Sequence, residues 1–165
     1  MLDPGTVAGP GSVVAGTAGT PHGAELLGPD GVCPAAGDGP PTVDDLLVAA
    51  RERIRRCSAR EAAAAVRSGA VLVDTRSDAD RGRDGVAPGS VHVPLSVLPW
   101  RADPASRHRD PRLVGRPLLV LCTDGFSSSL ATGWLVDLGI DAIDVIGGFR
   151  AWLAAGLPAE PAPPV

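Results

Sequence analysis

Two uninterrupted apolar runs, Val71-Leu72-Val73 and Leu118-Leu119-Val120-Leu121, constrain the fold of this chain most. Both are too short for a buried helix, and neither alternates apolar with polar residues. A strand that is apolar on both faces needs cover on both, as in a parallel sheet between helical layers. Ala70 to Asp74 and Leu118 to Leu121 are therefore read as strands, with Val91-His92-Val93 and Ala142 to Ile146 as two more. Helical signals lie around them. Val43, Leu46, Leu47, Ala50 and Ile54 recur at helical spacing behind Thr42, a good N-cap residue. Ser58-Ala59-Arg60-Glu61 has the form of a capping box and opens a second helix that ends near Gly69. A third helix is expected from Ser127 to Leu138, with Leu130, Trp134, Leu135 and Leu138 on one side and Gly139 as its stop. Gly148 to Ala155 is the last, closed by Gly156 and Pro158. The pattern predicts an α/β domain over residues 42–158 with a mainly parallel central sheet.

The flanks read differently. Residues 1–41 are rich in Gly, Pro, Ala, Ser and Thr and nearly devoid of large apolar side chains. Such a segment cannot offset its ordering entropy by burial, so it is expected to be disordered. Cys33 lies within it as an incidental thiol, with a resolving partnership to Cys122 as the alternative. Residues 159–165 read as a Pro-rich tail.

Composition narrows the function classes. Net charge is −4, too slight for a nucleic-acid partner, and all fifteen basic residues are Arg. No run approaches the ~18 apolar residues of a membrane helix. The opening Met1-Leu2-Asp3-Pro4-Gly5 lacks a charged, then apolar, leader, so a cytoplasmic protein is expected. Cys33, Cys57 and Cys122 show no metal-ligand spacing, and an odd count argues against a disulfide framework. Neither metal nor organic cofactor is expected. Cys57, at a helix junction, reads as a small packing residue. His22 falls in the N-terminal segment, His92 in a strand as a satisfied residue, and His108 in the Arg107-His108-Arg109 loop, solvated or at a pocket mouth.

Chemistry concentrates at Cys122. The strand ending at Leu121 delivers it to the carboxyl edge of the sheet, and Thr123-Asp124-Gly125-Phe126-Ser127-Ser128 curls into the helix that follows. Gly125 permits the curl, and the helix N-terminus points free N–H groups inward. A thiol held there ionises readily, with a pKa brought from ~8.5 toward ~3.5–7.5. The same cradle binds anions.

Five pieces in order resemble the rhodanese-like family. Asp74-Thr75-Arg76 resembles its Asp-x-Arg, and Pro88-Gly89-Ser90-Val91-His92-Val93-Pro94 its Pro-Gly turn and strand. Cys122 to Ser127 resembles the six-residue active loop. Gly147-Gly148-Phe149-Arg150-Ala151-Trp152 and Ala155-Gly156-Leu157-Pro158 resemble the closing motifs. Leu98-Pro99-Trp100-Arg101-Ala102-Asp103-Pro104 is similar to a segment of actinobacterial single-domain members. The resemblance implies a three-layer α/β/α fold and sulfur transfer from a small sulfane donor to a thiophilic acceptor through a Cys122 persulfide. It also implies backbone N–H groups of Thr123 to Ser128 around the bound sulfur, with hydroxyls of Ser127 and Ser128 assisting. Phe126 either shields the persulfide or packs. Arg81 and Arg101 are candidates to hold an anionic donor, and Asp74 and Arg76 to support the loops.

Two departures stand out, and the first says little about activity because the replaced His is usually structural. Gly85-Val86-Ala87 stands where the family often has Gly-His-Ile, and Ser127 stands where the loop commonly has Arg. Asp124 adds a carboxylate that should repel an anionic donor. Asp124 and the missing Arg favour a binding or regulatory module without turnover as the alternative, and the retained Cys122 opposes it. Phosphoryl or arsenate chemistry on this fold would need a loop one residue longer that ends in Arg, and that position is Ser128.

Overall fold

The computed structural model describes residues 40–163. The expectations for residues 1–39, including Cys33 and His22, lie outside them. Five parallel strands form one sheet in the order β1-β5-β4-β2-β3. The strands are β1 (Arg55–Cys57), β2 (Val71–Asp74), β3 (Val91–His92), β4 (Leu118–Leu121) and β5 (Ala142–Val145). Among the described residues, the α-helices are α1 (Val43–Arg53) before the first strand, α2 (Ala59–Arg67), α3 (Asp78–Asp84), α4 (Leu98–Ala102) and α5 (Ser127–Asp137) between strands, and α6 (Gly148–Ala154) after the last.

The sheet lies between two apolar layers, as the uninterrupted runs require. On one face, Leu72, Leu119, Leu121 and Val145 pack with Ala59, Ala62 and Ala63 of α2 and with Phe149 and Trp152 of α6. On the other, Val71, Val73, Leu118 and Val120 pack with Leu98 and Ala102 of α4 and with Ala131 and Leu135 of α5. Strands β2 and β4 are buried throughout. Both expected N-caps are present. Thr42 and Ser58 each accept from the backbone three residues on, and Asp45 and Glu61 return the bond as capping boxes.

Some elements depart from the sequence reading. Strand β1 was not foreseen. It is a three-residue edge strand with two arginines, which carries no apolar pattern. Helices α3 and α4 also arise where no helix was expected, α3 behind the cap Ser77, whose hydroxyl accepts from the Asp80 amide. Helix α5 buries a different face from the one expected. Trp134 is 45% and Leu138 50% exposed, whereas Ser128, Ser129, Ala131, Thr132, Gly133 and Leu135 are buried. The cause is double cover. Helix α5 lies on the sheet and also under α1, where a Cβ on Gly133 would come within 3.0 Å of the Arg53 guanidinium. Small side chains fill that narrow space, Leu135 alone of the large apolar ones is fully buried, and Trp134 and Leu138 are turned out. The Pro-rich tail is pinned at its start, because Val86 and Glu160 exchange backbone hydrogen bonds of 2.8 and 2.9 Å.

Candidate active site

Strand β4 ends at Leu121, and Cys122 follows at the carboxyl edge of the sheet, only 6% exposed. The next residues turn tightly around its sulfur. The direction of that turn is fixed by where the loop's carbonyls go. Cys122 O accepts from the Phe149 amide at 2.8 Å, and Thr123 O from the Arg150 amide at 3.1 Å. Gly125 O accepts from Arg51 Nη2 at 2.9 Å. With these carbonyls bound from outside, amides face the sulfur, and Gly125 N–H donates to Cys122 Sγ at 3.1 Å.

The two Gly-rich motifs meet here. A Cβ on Gly148 would lie 2.3 Å from Cys122 O and 2.7 Å from Thr123 O. Gly125 has φ +80° and faces the Gly147 amide at 2.6 Å from where its own Cβ would stand. The first turn of α6 thus seats directly on the loop, and side chains are excluded from the contact.

Burial pushes the Cys122 thiol up. Hydrogen bonds from the Ser127 and Ser128 hydroxyls and from the Ser128 and Gly125 amides outweigh it and hold the thiol below its ordinary value. Cys57 behaves oppositely. Burial, Glu61 and Asp144 push it up to about 11, so it is the inert thiol of the two.

Asp74 and Arg76 act as a buried brace. Arg76 Nε and Nη2 donate to the two Asp74 oxygens at 3.0 and 2.7 Å, and Nη2 also donates to Gly85 O at 2.8 Å. The Arg76 guanidinium lies 3.7 Å from the ring centroid of Phe149, whose amide holds Cys122 O. The brace therefore reaches the loop through α6.

The candidate donor-binding arginines are placed elsewhere. Arg81 is buried, with Nη1 3.2 Å from Asp78 and Nε 3.6 Å from Asp74. Its charge is spent within the protein, so it belongs with the brace. Arg101 is exposed, donates to His108 O at 3.2 Å, and does not line the Cys122 cleft. His108 is likewise an exposed loop residue away from that cleft. His92 is satisfied as expected, with Nε2 2.9 Å from Arg76 O.

Cys122 opens into a cleft of about 280 Å³ lined also by Thr75, Ser77, Asp80, Asp124 and Phe126. Asp124 pairs with Arg150 at 2.8 Å, which offsets part of its charge at the mouth. Phe126 is 58% exposed on the rim, with Arg51 5.6 Å from its ring centroid. A larger cleft of about 810 Å³ adjoins through Thr75, Arg76 and Ser77 and is walled by Leu95, Trp100 and Trp134.

Sequence reasoning missed two groups behind the loop. Arg51 ties α1 to Gly125 O, and Asp144 of β5 is wholly buried beneath Ser128 and Ser129. A carboxylate within an apolar strand was the available signal for Asp144.

The fold and site define a parallel α/β protein that presents one cysteine in an amide-lined loop at the sheet edge. Residues 58–155 match the rhodanese-like domain, and the chain belongs to that family. It is 35% identical over 94 residues to a protein of Actinobacillus succinogenes named thiosulfate sulfurtransferase GlpE, covering 56% of this chain and 78% of that one. It is 36% identical over 104 residues to the GlpE of Pseudomonas savastanoi pv. phaseolicola, covering 61% and 88%. Among solved structures, a Rhodopseudomonas palustris protein of unknown function, described as a possible tyrosine phosphatase, superposes with a TM-score of 0.67 at 30% identity, covering 74% of this chain and all of that one. A thiosulfate sulfurtransferase from Pseudomonas aeruginosa shares the fold, with a TM-score of 0.56 at 24% identity over 67% of this chain and 20% of that one. Among the described residues, no helix is long and apolar enough to cross a membrane, and no three His, Cys, Asp or Glu converge as metal ligands.

Proposed function

We propose that the protein is a cytoplasmic sulfurtransferase whose Cys122 carries a sulfane sulfur between a small donor and a thiophilic acceptor. The Cys122 thiolate attacks the outer sulfur of the donor. A new S–S bond forms, the donor's own bond to that sulfur breaks, and the donor leaves with the electron pair (sulfite, when the donor is thiosulfate). Cys122 then bears a persulfide, whose negative outer sulfur the inward N–H groups from Thr123 to Ser128 stabilise. An acceptor thiolate or cyanide attacks that outer sulfur and restores the Cys122 thiolate.

The observation that carries this reading is the amide-lined loop, with Gly125 N–H 3.1 Å from Sγ and the neighbouring carbonyls turned away. Such a cradle suits a monoanionic sulfur. Ser127 and Ser128 stand where a phosphate-clamping Arg would be needed, so phosphoryl chemistry is disfavoured. The test is sulfur transfer from thiosulfate, and separately from glutathione persulfide, to cyanide. Wild type should turn over with at least one donor, and Cys122→Ser should be inactive with both. Unchanged activity in that variant overturns the mechanism.

A further inference from the structure

The Ser128 hydroxyl stands between Cys122 and a buried carboxylate. Its Oγ lies 3.2 Å from Cys122 Sγ and 2.7 Å from Asp144 Oδ1. It has one proton and two claimants for it. While Cys122 is a thiol, both demands are met, because S–H donates to Oγ and O–H donates to the carboxylate. Once Cys122 ionises, thiolate and carboxylate compete for the same proton. The carboxylate is closer, and a hydroxyl bond to a buried carboxylate is the stronger one. Asp144 thereby limits the share of the Ser128 proton that can hold the thiolate.

The groups around this pair are fixed. From β1, Arg56 Nε donates to Asp144 Oδ2 at 2.9 Å, and Cys57 is held neutral near the same carboxylate. From α5, Ser129 Oγ lies 2.7 Å from Oδ2, and Arg51 of α1 donates to that hydroxyl at 3.2 Å. Asp124 pairs with Arg150 at the mouth, and Asp74 pairs with Arg76 on the far side. Asp144 is therefore the one carboxylate among the described residues that reaches Cys122 through a single hydroxyl.

We propose that Asp144 is a positioning residue that claims the Ser128 proton, keeps Cys122 protonated until higher pH, and so favours the persulfide over the free thiolate. In the persulfide the charge sits on the outer sulfur, ~2.05 Å beyond Sγ, so Asp144 no longer opposes it. The thiolate that does form is the more nucleophilic for its higher basicity. This deepens the sulfur-transfer reading and rests on Cys122 as its reacting thiol.

The test is the pH dependence of Cys122 alkylation by iodoacetamide in the full chain, followed by peptide mapping, with folding checked by near-ultraviolet circular dichroism. No sulfur donor is present, so the result stands whether or not the protein transfers sulfur. Asp144→Asn should lower the midpoint by about one pH unit. Arg56→Gln, at a side chain 24% exposed, should raise it. In a Ser128→Ala background the Asp144→Asn shift should shrink to less than half. A midpoint that stays or rises in Asp144→Asn overturns the proposal, as does a fall in Arg56→Gln. An undiminished shift without the Ser128 hydroxyl overturns the proton-claiming role. Should Asp144→Asn not fold, Arg56→Gln with and without Ser128→Ala decides the matter by the same signs.

Discussion

Replacing Gly148 with alanine should unseat the active loop, and the cost follows from the geometry. Gly148 has φ +56°, a conformation that costs an L side chain ~1–2 kcal/mol. The new Cβ would also sit 2.3 Å from Cys122 O and 2.7 Å from Thr123 C, and both neighbours are backbone. Relieving that overlap costs ~1–3 kcal/mol. The movement lengthens the bonds from Phe149 N to Cys122 O and from Arg150 N to Thr123 O, now 2.8 and 3.1 Å, each worth about 1 kcal/mol. Gly139 supplies the control. It has φ +74° with nothing within 4 Å of its Cβ position, so Gly139→Ala bears the conformational cost alone. The difference between the two variants should be about 3 kcal/mol, or roughly 10 °C in melting temperature. Thermal unfolding reads this directly, and Cys122 alkylation at pH 7.5 reads the loop. Gly148→Ala should melt lower and lose Cys122 reactivity several-fold, whereas Gly139→Ala keeps it. Equal melting temperatures and equal reactivity would refute the seating of α6 on the loop.

Further outcomes follow from other contacts. Asp124→Gly removes a carboxylate from the cleft and should raise thiosulfate turnover a few-fold, more at low than at high ionic strength; a fall would show that Asp124 contacts the donor. Asp74→Asn strips the partner from the buried Arg76 and Arg81 and should cost about 3–5 kcal/mol in urea unfolding; a loss below about 1 kcal/mol would refute the brace. The two thiols should separate by pH. Cys122, held low, should be alkylated at lower pH than an ordinary thiol, and Cys57 only near 11. The linkage signs are opposite: the depressed Cys122 adds stability as pH rises toward 9.0, and the raised Cys57 removes it between 9.0 and about 11. Peptide mapping in which Cys57 reacts first contradicts both assignments.

The strands β2, β4 and β5 were legible because their apolar runs admit few other roles, and the N-cap at Thr42 and the capping box at Ser58 because a few neighbouring residues carry the whole signal. The Cys122 loop was legible for the same local reason, since strand, small residues and helix follow one another directly. What was not legible depends on contacts distant in sequence. Asp144 meets Ser128 and Ser129 at separations of 16 and 15 residues, and Arg56 at 88. No local pattern announces such a cluster. The buried face of α5 was misread because α1 covers it from a second side, and apolar size then ceases to mark burial. Arg81 was a candidate for the donor on its charge, and its pairing with Asp74 and Asp78 depends on the unforeseen helix α3.

The central claim is that Cys122 carries the sulfur. Intact mass after incubation with thiosulfate or with glutathione persulfide, followed by peptide mapping, tests it most directly. The account predicts a gain of one sulfur atom on the Cys122 peptide with at least one donor, absent in Cys122→Ser and removed by cyanide. No gain from either donor, with the protein folded and Cys122 reduced, would contradict it and leave a rhodanese-like binding module in its place.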